Sequence, residues 1–266
     1  MEVNTESSKK VIIHPTAIVH PKAELDYGVE IGPYSIIEAD VKIGAGTKVG
    51  PRVTIEGHTT LGRNNQVFTG AIIGSMTQDK KYKGGITYLR IGDNNSIREY
   101  CTLNPGTLDG TETVIKNGNL LMAYAHVAHD CIVGNDTVIA NNGTLAGHCV
   151  VEDKAIIGGL SGVHQFVKIG KLSIVGGCSK VTSNVPPFIM VDGHPARAYG
   201  LNVVGLERNN VPSEERVELK RAFKILFRSG LALKSAIKQI EETLSQSPTI
   251  LSLLEFLKSS DRGICK

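Results

Sequence analysis

Side chains that could carry proton-transfer chemistry are concentrated in one stretch of the chain. Four of the eight histidines fall between residues 126 and 164, namely His126, His129, His148 and His164, and His129 is followed directly by Asp130. A histidine beside a carboxylate is a candidate general base, because the carboxylate orients the imidazole and stabilises its protonated form. A zinc site is the other candidate, since catalytic zinc commonly takes three protein ligands and leaves a fourth position open.

A six-residue repeat runs through most of the chain and must position these side chains. Stepping by six from Ile13 to Val181 meets Ile, Val or Leu at 26 of 29 positions, and fails only at Asp79, Gly85 and Asp109. A period of six fits neither an amphipathic helix nor an alternating strand. It fits a triangular prism in which short parallel strands turn a corner every six residues. We therefore predict a parallel β-helix in which three repeats, one for each face, make up one coil.

Glycine follows ten of these 26 aliphatic residues, as at Gly32 and Gly44. Glycine adopts positive φ without steric cost, which tight corners require. We therefore interpret these glycines as the corners of the prism.

The coil length of three repeats serves as a ruler along the prism. Adding one coil stacks Gly147 on His129, and Gln165 on Gly147. The same count places Ile73, where the first failure of the repeat begins, in a column with positions 91, 109 and 127. Because insertions in repeat folds usually lie on the binding face, we expect loops at 75–89 and 105–113 beside the histidines. The backbone N–H of Gly147 would then be available to stabilise an oxyanion.

Composition narrows the class of protein. The net charge of +3 is too small to indicate binding to nucleic acid. No apolar run approaches the roughly 20 residues of a membrane span. The polar start of the chain lacks the apolar core of a signal peptide. The five cysteines form no paired framework, which indicates a reducing cytoplasm, with Cys131 and Cys149 as buried thiols in adjacent coils.

The sequence divides into four parts. We expect a flexible tail at 1–10, the β-helix at 11–186, a linker at 187–212 and a helical domain at 213–266. Ser213 is a candidate N-cap for the first helix, Gly230 a candidate stop, and two shorter helices are expected on either side of Pro248.

Several longer strings are more specific than the repeat. They are AHVAHDC (125–131), LAGH (145–148), VHQF (163–166), TQDKKYKG (77–84), IREY (97–100), NVPPF (184–188), GLNVVGL (200–206) and DRGI (261–264). Together they resemble the UDP-N-acetylglucosamine acyltransferases of lipid A synthesis over nearly the whole chain. The resemblance implies that the β-helix is left-handed and carries a small C-terminal α-helical domain.

The resemblance also implies a reaction and a role for each matching residue. The reaction is transfer of an (R)-3-hydroxyacyl group from acyl carrier protein to the 3-hydroxyl of UDP-N-acetylglucosamine, with no metal and no other cofactor. His129 matches the general base, Asp130 its supporting acid and Gly147 the oxyanion donor. The matching substrate contacts are Gln78, Asp79 and Lys81 in the first loop; His126, His148, His164 and Gln165 in the cleft; and Asn202 and Arg208 at the nucleotide. Gly177 matches the position that limits acyl length.

The partners implied are acyl carrier protein, the UDP-sugar and two further copies of the chain, in a homotrimer with active sites between subunits. In the first helix of the tail, Lys220, Arg221, Lys224 and Arg228 would form a basic stripe. Acyl carrier protein is acidic, so the stripe is a candidate docking face, and an ordinary solvated face is the alternative.

Three positions depart from the family pattern. Asn104 stands where the family often has His, Val204 where it often has Glu, and Asn209 where it often has a second Arg. Two alternative functions stay open: a related enzyme that acylates the 3-amino analogue of the sugar, and a zinc enzyme of the carbonic anhydrase type. The later N-acyltransferase of the pathway usually carries an extra N-terminal domain, for which we see no room.

Overall fold

The computed structural model describes residues 10–266. The predicted tail, residues 1–10, lies outside the described residues except for Lys10. The chain divides into two compact units, the first ending at Ile132 and the second beginning at Val133. Within residues 10–266, no helix is both long enough and apolar enough to span a bilayer.

The first unit is built from short parallel strands. They are β1 (Ile12–Ile13), β2 (Ile18–Val19), β3 (Glu24–Leu25), β4 (Glu30–Ile31), β5 (Ile36–Ile37), β6 (Lys42–Ile43), β7 (Lys48–Val49), β8 (Thr54–Ile55), β9 (His58–Leu61), β10 (Gln66–Val67), β11 (Ile72–Ile73), β12 (Tyr88–Ile91), β13 (Ser96–Ile97), β14 (Thr102–Leu103), β15 (Glu112–Ile115), β16 (Leu120–Leu121) and β17 (His126–Val127). Every third strand pairs in parallel, as in β2-β5-β8-β11-β14-β17. This gives three ladders, as a triangular coil requires.

The register shows how the loops are accommodated. Ile13 pairs with Ile31, one coil of three repeats later, but Ile73 pairs with Leu103 and Leu103 with Val127. The first of these longer separations is one coil plus two repeats, and the second is one coil plus one repeat. Both loops, at 74–87 and 104–111, therefore insert a whole number of repeats. This is why the six-residue step resumed in phase after each failure.

The predicted column through positions 73, 91, 109 and 127 is therefore wrong in two of its members. Ile91 belongs to β12 in a different ladder, and Asp109 lies within the second loop. The prediction assumed that every coil contains three repeats and therefore ignored the residues that the two loops insert. Both loops nevertheless leave from the ladder that contains His126, because they follow β11 and β14.

Inward-facing aliphatic side chains form the core, and Ile55, Ile73, Leu103 and Val127 are each fully buried. The prediction that the glycines after these aliphatic residues form the corners is wrong. Of the ten glycines that follow these aliphatics, only Gly74 has a positive φ. The others lie against the next coil, since a Cβ on Gly32 would come within 2.7 Å of the Gly50 carbonyl carbon. Most corners carry a non-glycine residue at positive φ, such as Tyr34, and a few carry another glycine, such as Gly28 or Gly46.

The second unit continues the pattern of short parallel strands and then leaves the six-residue repeat. Strand β18 (Ile132–Val133) spans the boundary and is followed by β19 (Val138–Ile139), β20 (Thr144–Leu145), β21 (Val150–Val151), β22 (Ile156–Ile157), β23 (Gly162–Val163), β24 (Lys168–Ile169), β25 (Ile174–Val175) and β26 (Lys180–Val181). Here each coil has three repeats without interruption, as in the pairs Leu145–Val163 and Val163–Val181.

The segment predicted as a linker, 187–212, is ordered. It contains an antiparallel hairpin of β27 (Ile189–Gly193) and β28 (Ala196–Leu201) and a short helix, α1 (Val203–Arg208). Hydrophobic periodicity gave no signal for it, because the hairpin abandons the six-residue period.

Three longer helices follow: α2 (Ser213–Arg228), α3 (Leu233–Thr243) and α4 (Pro248–Lys258). Ser213 is the first helical residue and does not cap α2, so its predicted role is wrong. The helices enclose a core of their own, which includes Leu226, Ile240 and Leu253. The chain then returns to the repeat, where Ile264 bridges in parallel to Asn184.

Candidate active site

His129 and Asp130 stand at one corner of the coil that contains β17. The His129 Nδ1 lies 2.8 Å from Asp130 Oδ2, and both side chains are largely buried. On a flat strand, adjacent residues would point to opposite faces. Asp130 has a φ of +58°, and this turn brings its carboxylate to the imidazole. The histidine and the carboxylate that adjoin in sequence are therefore also in contact.

Two threonines hold Asp130 in place. The backbone N–H of Asp130 donates to Thr113 Oγ1 at 2.8 Å, and the N–H of Thr107 donates to Asp130 Oδ1 at 3.4 Å. Thr107 belongs to the second loop, so that loop orients the partner of His129. Sequence reasoning missed both threonines. The signal for Thr113 was available, since it precedes Asp130 by 17 residues, close to one coil.

The other ring nitrogen of His129 faces the first loop. Asp79 Oδ2 lies 3.6 Å from His129 Nε2, and both side chains are shielded from solvent. Asp79 is itself held locally, because its Oδ1 accepts from the N–H of Lys81 at 3.0 Å. When Nδ1 donates its proton to Asp130, Nε2 carries the lone pair. A hydroxyl placed beside both atoms could donate its one proton to Nε2, and Asp79 would then be available to accept from a different group.

The first loop is fastened to the coil by Asn104, one of the three departures. Asn104 is buried, and its Nδ2 donates to the Ser75 carbonyl at 3.0 Å. A second tie is the 3.2 Å contact between the hydroxyls of Thr77 and Thr107, which joins the two loops. Gln78 and Lys81 are exposed on the same loop. Asn104 thus fixes the first loop to the coil and thereby helps to hold Asp79 near His129.

His126 lines the same region as a neutral group. Its Nδ1 lies 2.6 Å from Thr102 Oγ1, a contact across one coil plus the inserted repeat. Burial lowers the pKa of His126, and the nearby His129 lowers it further. His126 therefore offers a polar but uncharged surface.

Gly147, His148, His164 and Gln165 belong to the second unit. The carbonyl of Gly147 accepts from the N–H of Phe166 at 3.1 Å. Its own N–H donates to no acceptor among residues 10–266. His148 stacks on Phe166 with the ring centroids 4.6 Å apart.

His164 and Gln165 are adjacent residues at a corner of the coil. His164 Nδ1 lies 3.1 Å from the carbonyl of Gln165 and 3.4 Å from Arg262 Nη2. Sequence reasoning quoted the DRGI string but assigned no role to Arg262.

Asn202 and Arg208 sit at opposite ends of α1. Asn202 is buried and caps the helix: its Oδ1 accepts from the N–H of Gly205 at 2.9 Å, and its Nδ2 donates to the Leu172 carbonyl at 2.8 Å. Its side chain is therefore occupied in orienting α1. Arg208, in the last turn, is exposed, and so is Val204.

Gly177 is exposed and has room for a side chain. A Cβ built there would meet only the Gly159 carbonyl oxygen, at the ordinary contact distance of 3.4 Å. A larger residue would point outward without distorting the coil.

A histidine–aspartate pair at the corner of a six-residue parallel coil, with two loops beside it, fits the class expected from the sequence, the hexapeptide-repeat acyltransferases. Two family models match the chain: UDP-N-acetylglucosamine O-acyltransferase domain 2 at residues 184–265, and the bacterial transferase hexapeptide repeat at residues 112–147.

Full-length relatives agree with these matches. The acyl-[acyl-carrier-protein]–UDP-N-acetylglucosamine O-acyltransferase of Paracidovorax citrulli is 51% identical over 259 residues, which are 96% of this chain and 99% of that one. That of Thiobacillus denitrificans is 48% identical over 255 residues, with the same coverage. The chain belongs to this family of acyltransferases.

Solved structures support the fold. The structure of LpxA from Acinetobacter baumannii superposes with a TM-score of 0.93 at 44% identity, covering 96% of this chain and all of that one. The predicted fold class, a left-handed parallel β-helix of hexapeptide repeats with a small C-terminal helical domain, is confirmed.

The lowered pKa of His126 makes stability depend on pH. Below the ordinary histidine pKa of about 6.5, the unfolded chain binds a proton at this residue that the native state resists, so stability falls as pH decreases through that range. His126→Gln should flatten this slope between about pH 7 and pH 5. Urea midpoints of wild type and variant at several pH values test it, and equal slopes would contradict the assignment.

Proposed function

We propose that this enzyme transfers an (R)-3-hydroxyacyl group from acyl carrier protein to the 3-hydroxyl of UDP-N-acetylglucosamine, the first step of lipid A biosynthesis. The observation that carries the proposal is the placement of His129 between two carboxylates. Asp130 accepts from Nδ1, and Asp79 lies 3.6 Å from Nε2. The relatives' names supply both substrates.

His129 acts as the general base. Nε2 removes the proton of the sugar hydroxyl as its oxygen attacks the thioester carbonyl of the carrier-bound acyl group. The C–O bond forms, the carbonyl electrons move onto oxygen, and the imidazolium is stabilised by Asp130. When the oxyanion collapses, the C–S bond breaks and the imidazolium returns its proton to the departing thiolate. A positioned base of this kind contributes about 10²- to 10⁴-fold.

Gly147 serves as the oxyanion donor in this proposal. Its N–H has no acceptor within the described part of the chain, which leaves it available to a developing negative charge. One lost donor of this type costs about 10²- to 10³-fold in rate. The repeat spacing, one coil beyond His129, is what supports pairing the two.

Asp79 positions the acceptor sugar. A hydroxyl that donates to Nε2 would have its oxygen near Asp79 Oδ2, so a neighbouring sugar hydroxyl can donate to that carboxylate. Gln78 and Lys81 are exposed on the same loop and are proposed as further contacts to the sugar and acyl group. His148, His164 and Gln165 are proposed to line the cleft.

The carrier protein docks on α2 in this proposal. Lys220, Arg221, Lys224 and Arg228 are all exposed on that helix. Arg221 is engaged by Glu218 at 2.8 Å, so Lys220, Lys224 and Arg228 present the freer charge. An acidic carrier would be attracted to such a surface.

The enzyme works as a homotrimer with its cleft between subunits. Large apolar side chains are exposed on the single chain, among them Ile12, Ile18, Tyr34, Tyr100 and Tyr124. Tyr100 and Tyr124 stack on each other with their ring centroids 5.3 Å apart, and a contiguous exposed apolar patch supports an interface. Sedimentation equilibrium should give three times the mass of the 28.5 kDa chain, and a monomer would contradict this. Cys101, Cys131, Cys149, Cys178 and Cys265 form no disulfide bond within residues 10–266, which suits a cytoplasmic location.

Transfer should depend on His129. His129→Ala should reduce kcat/KM by about 10²- to 10⁴-fold in an assay that combines UDP-N-acetylglucosamine with hydroxyacyl carrier protein. His14→Ala is the matched control, because His14 is exposed and hydrogen-bonded to Thr16. Equal activity of His129→Ala and wild type would refute the base assignment.

The same assay separates the alternative functions. Replacing the sugar by its 3-amino analogue tests amine acylation, which would be indicated by a higher kcat/KM than for the hydroxyl substrate. Adding a zinc chelator tests the zinc alternative, and a loss of activity that zinc restores would favour it.

Gly177 should set the length of acyl chain that is accepted. Gly177→Met has space at its Cβ, and we propose that its side chain would shorten the groove that holds the acyl chain. The ratio of kcat/KM for long against shorter acyl donors should fall at least about tenfold, with the melting temperature unchanged. An unchanged ratio would show that Gly177 does not limit the length of the acyl chain.

A further inference from the structure

A closed chain of polar contacts joins the two loops to the corner that holds His129. The backbone N–H of Asp79 donates to Thr77 Oγ1 at 3.3 Å, and the Thr77 hydroxyl lies 3.2 Å from Thr107 Oγ1. The N–H of Thr107 donates to Asp130 Oδ1 at 3.4 Å, and Asp130 Oδ2 lies 2.8 Å from His129 Nδ1. His129 Nε2 lies 3.6 Å from Asp79 Oδ2, which closes the chain.

The two threonine hydroxyls are the link of this chain that holds one loop against the other. Thr77 lies in the loop at 74–87 and Thr107 in the loop at 104–111. Both are buried, with 5% and 3% of their surface exposed. A hydrogen bond shielded from water in this way is electrostatically stronger than one at the surface. The pair therefore fixes the first loop relative to the second.

Each hydroxyl lies one short step from a group that contacts the imidazole. Thr77 accepts from the backbone of Asp79, two residues further along the loop. Thr107 donates through its own backbone to the carboxylate of Asp130. A change in the separation of the two hydroxyls would therefore change the separation of the two carboxylates that face opposite ring nitrogens of His129.

We propose that Thr77 and Thr107 are positioning residues for the acyl transfer. Their hydroxyl pair sets the place of Asp79, which holds the acceptor sugar, relative to the base and its supporting carboxylate. The inference rests on the proposed function, which gives these roles to Asp79, Asp130 and His129. Alignment of the acceptor hydroxyl with the base matters in the transition state more than in the bound state, so the pair should act on kcat more than on KM.

Thr107→Val tests the hydroxyl alone, because valine has a similar shape and keeps the backbone N–H that donates to Asp130. In the transfer assay, with the sugar varied at saturating acyl donor, kcat should fall about tenfold while KM for the sugar changes less than about twofold. Thr107→Ser keeps the hydroxyl and should retain a kcat within about twofold of wild type.

Thr47→Val is the matched control for lost stability. Thr47 is a buried threonine of the same unit, and its hydroxyl donates to the Gly62 carbonyl at 2.9 Å and accepts from the Asn65 N–H at 3.1 Å. The variant loses both bonds, so its melting temperature should fall while its kcat stays at the wild-type value. A loss of kcat as large as that of Thr107→Val would show that weakened folding, rather than positioning, explains the result.

A double variant tests whether the two hydroxyls act through one contact. Thr77→Val combined with Thr107→Val should have a kcat within about twofold of Thr77→Val alone, because the contact between them is already lost. Losses that multiply would overturn the inference. So would a wild-type kcat in Thr107→Val, or an equal loss in Thr107→Ser.

The same assay separates this inference from the proposed function. If the wild type transfers acyl groups to the sugar and Thr107→Val does so as fast, only the inference fails. If the wild type transfers none, the proposed function fails and the inference falls with it.

Discussion

The structure depends on the register between neighbouring coils, which an inward aliphatic side chain every six residues maintains. Each short strand hydrogen-bonds to the strand one coil away, so a shift of a single residue would turn its aliphatic side chain out of the core. Insertions are tolerated only as whole repeats. The two loops obey this rule, since they add two repeats and one repeat and leave Leu103 and Val127 buried in their ladder.

The geometry around His129 follows from those insertions. The first loop carries Asp79 to Nε2 of His129, and the second carries Thr107 to the carboxylate on Nδ1. Asn104 and the contact between Thr77 and Thr107 fasten the loops. The coil therefore supplies the proposed base, and the inserted repeats supply the groups that contact it. A side chain held at a corner of the coil keeps its position better than one on a free loop.

Two of the three positions that depart from the family pattern make defined contacts in the structure. Asn104 anchors the first loop to the coil through the Ser75 carbonyl. Asn209 accepts a hydrogen bond from Lys154, which lies on the turn between β21 and β22.

The sequence by itself determined the parallel coil, its length of three repeats, the two loops and the pairing of His129 with Asp130. These follow from a period of six and from adjacency, both of which are local. Tertiary structure decided the rest. Only the folded chain shows that Ile73 pairs with Leu103, that the repeat glycines relieve contacts between coils, and that 187–212 is an ordered hairpin and helix. Asn202 likewise proved to cap α1, and Lys154 to reach Asn209, because both contacts join residues whose separation no repeat predicts.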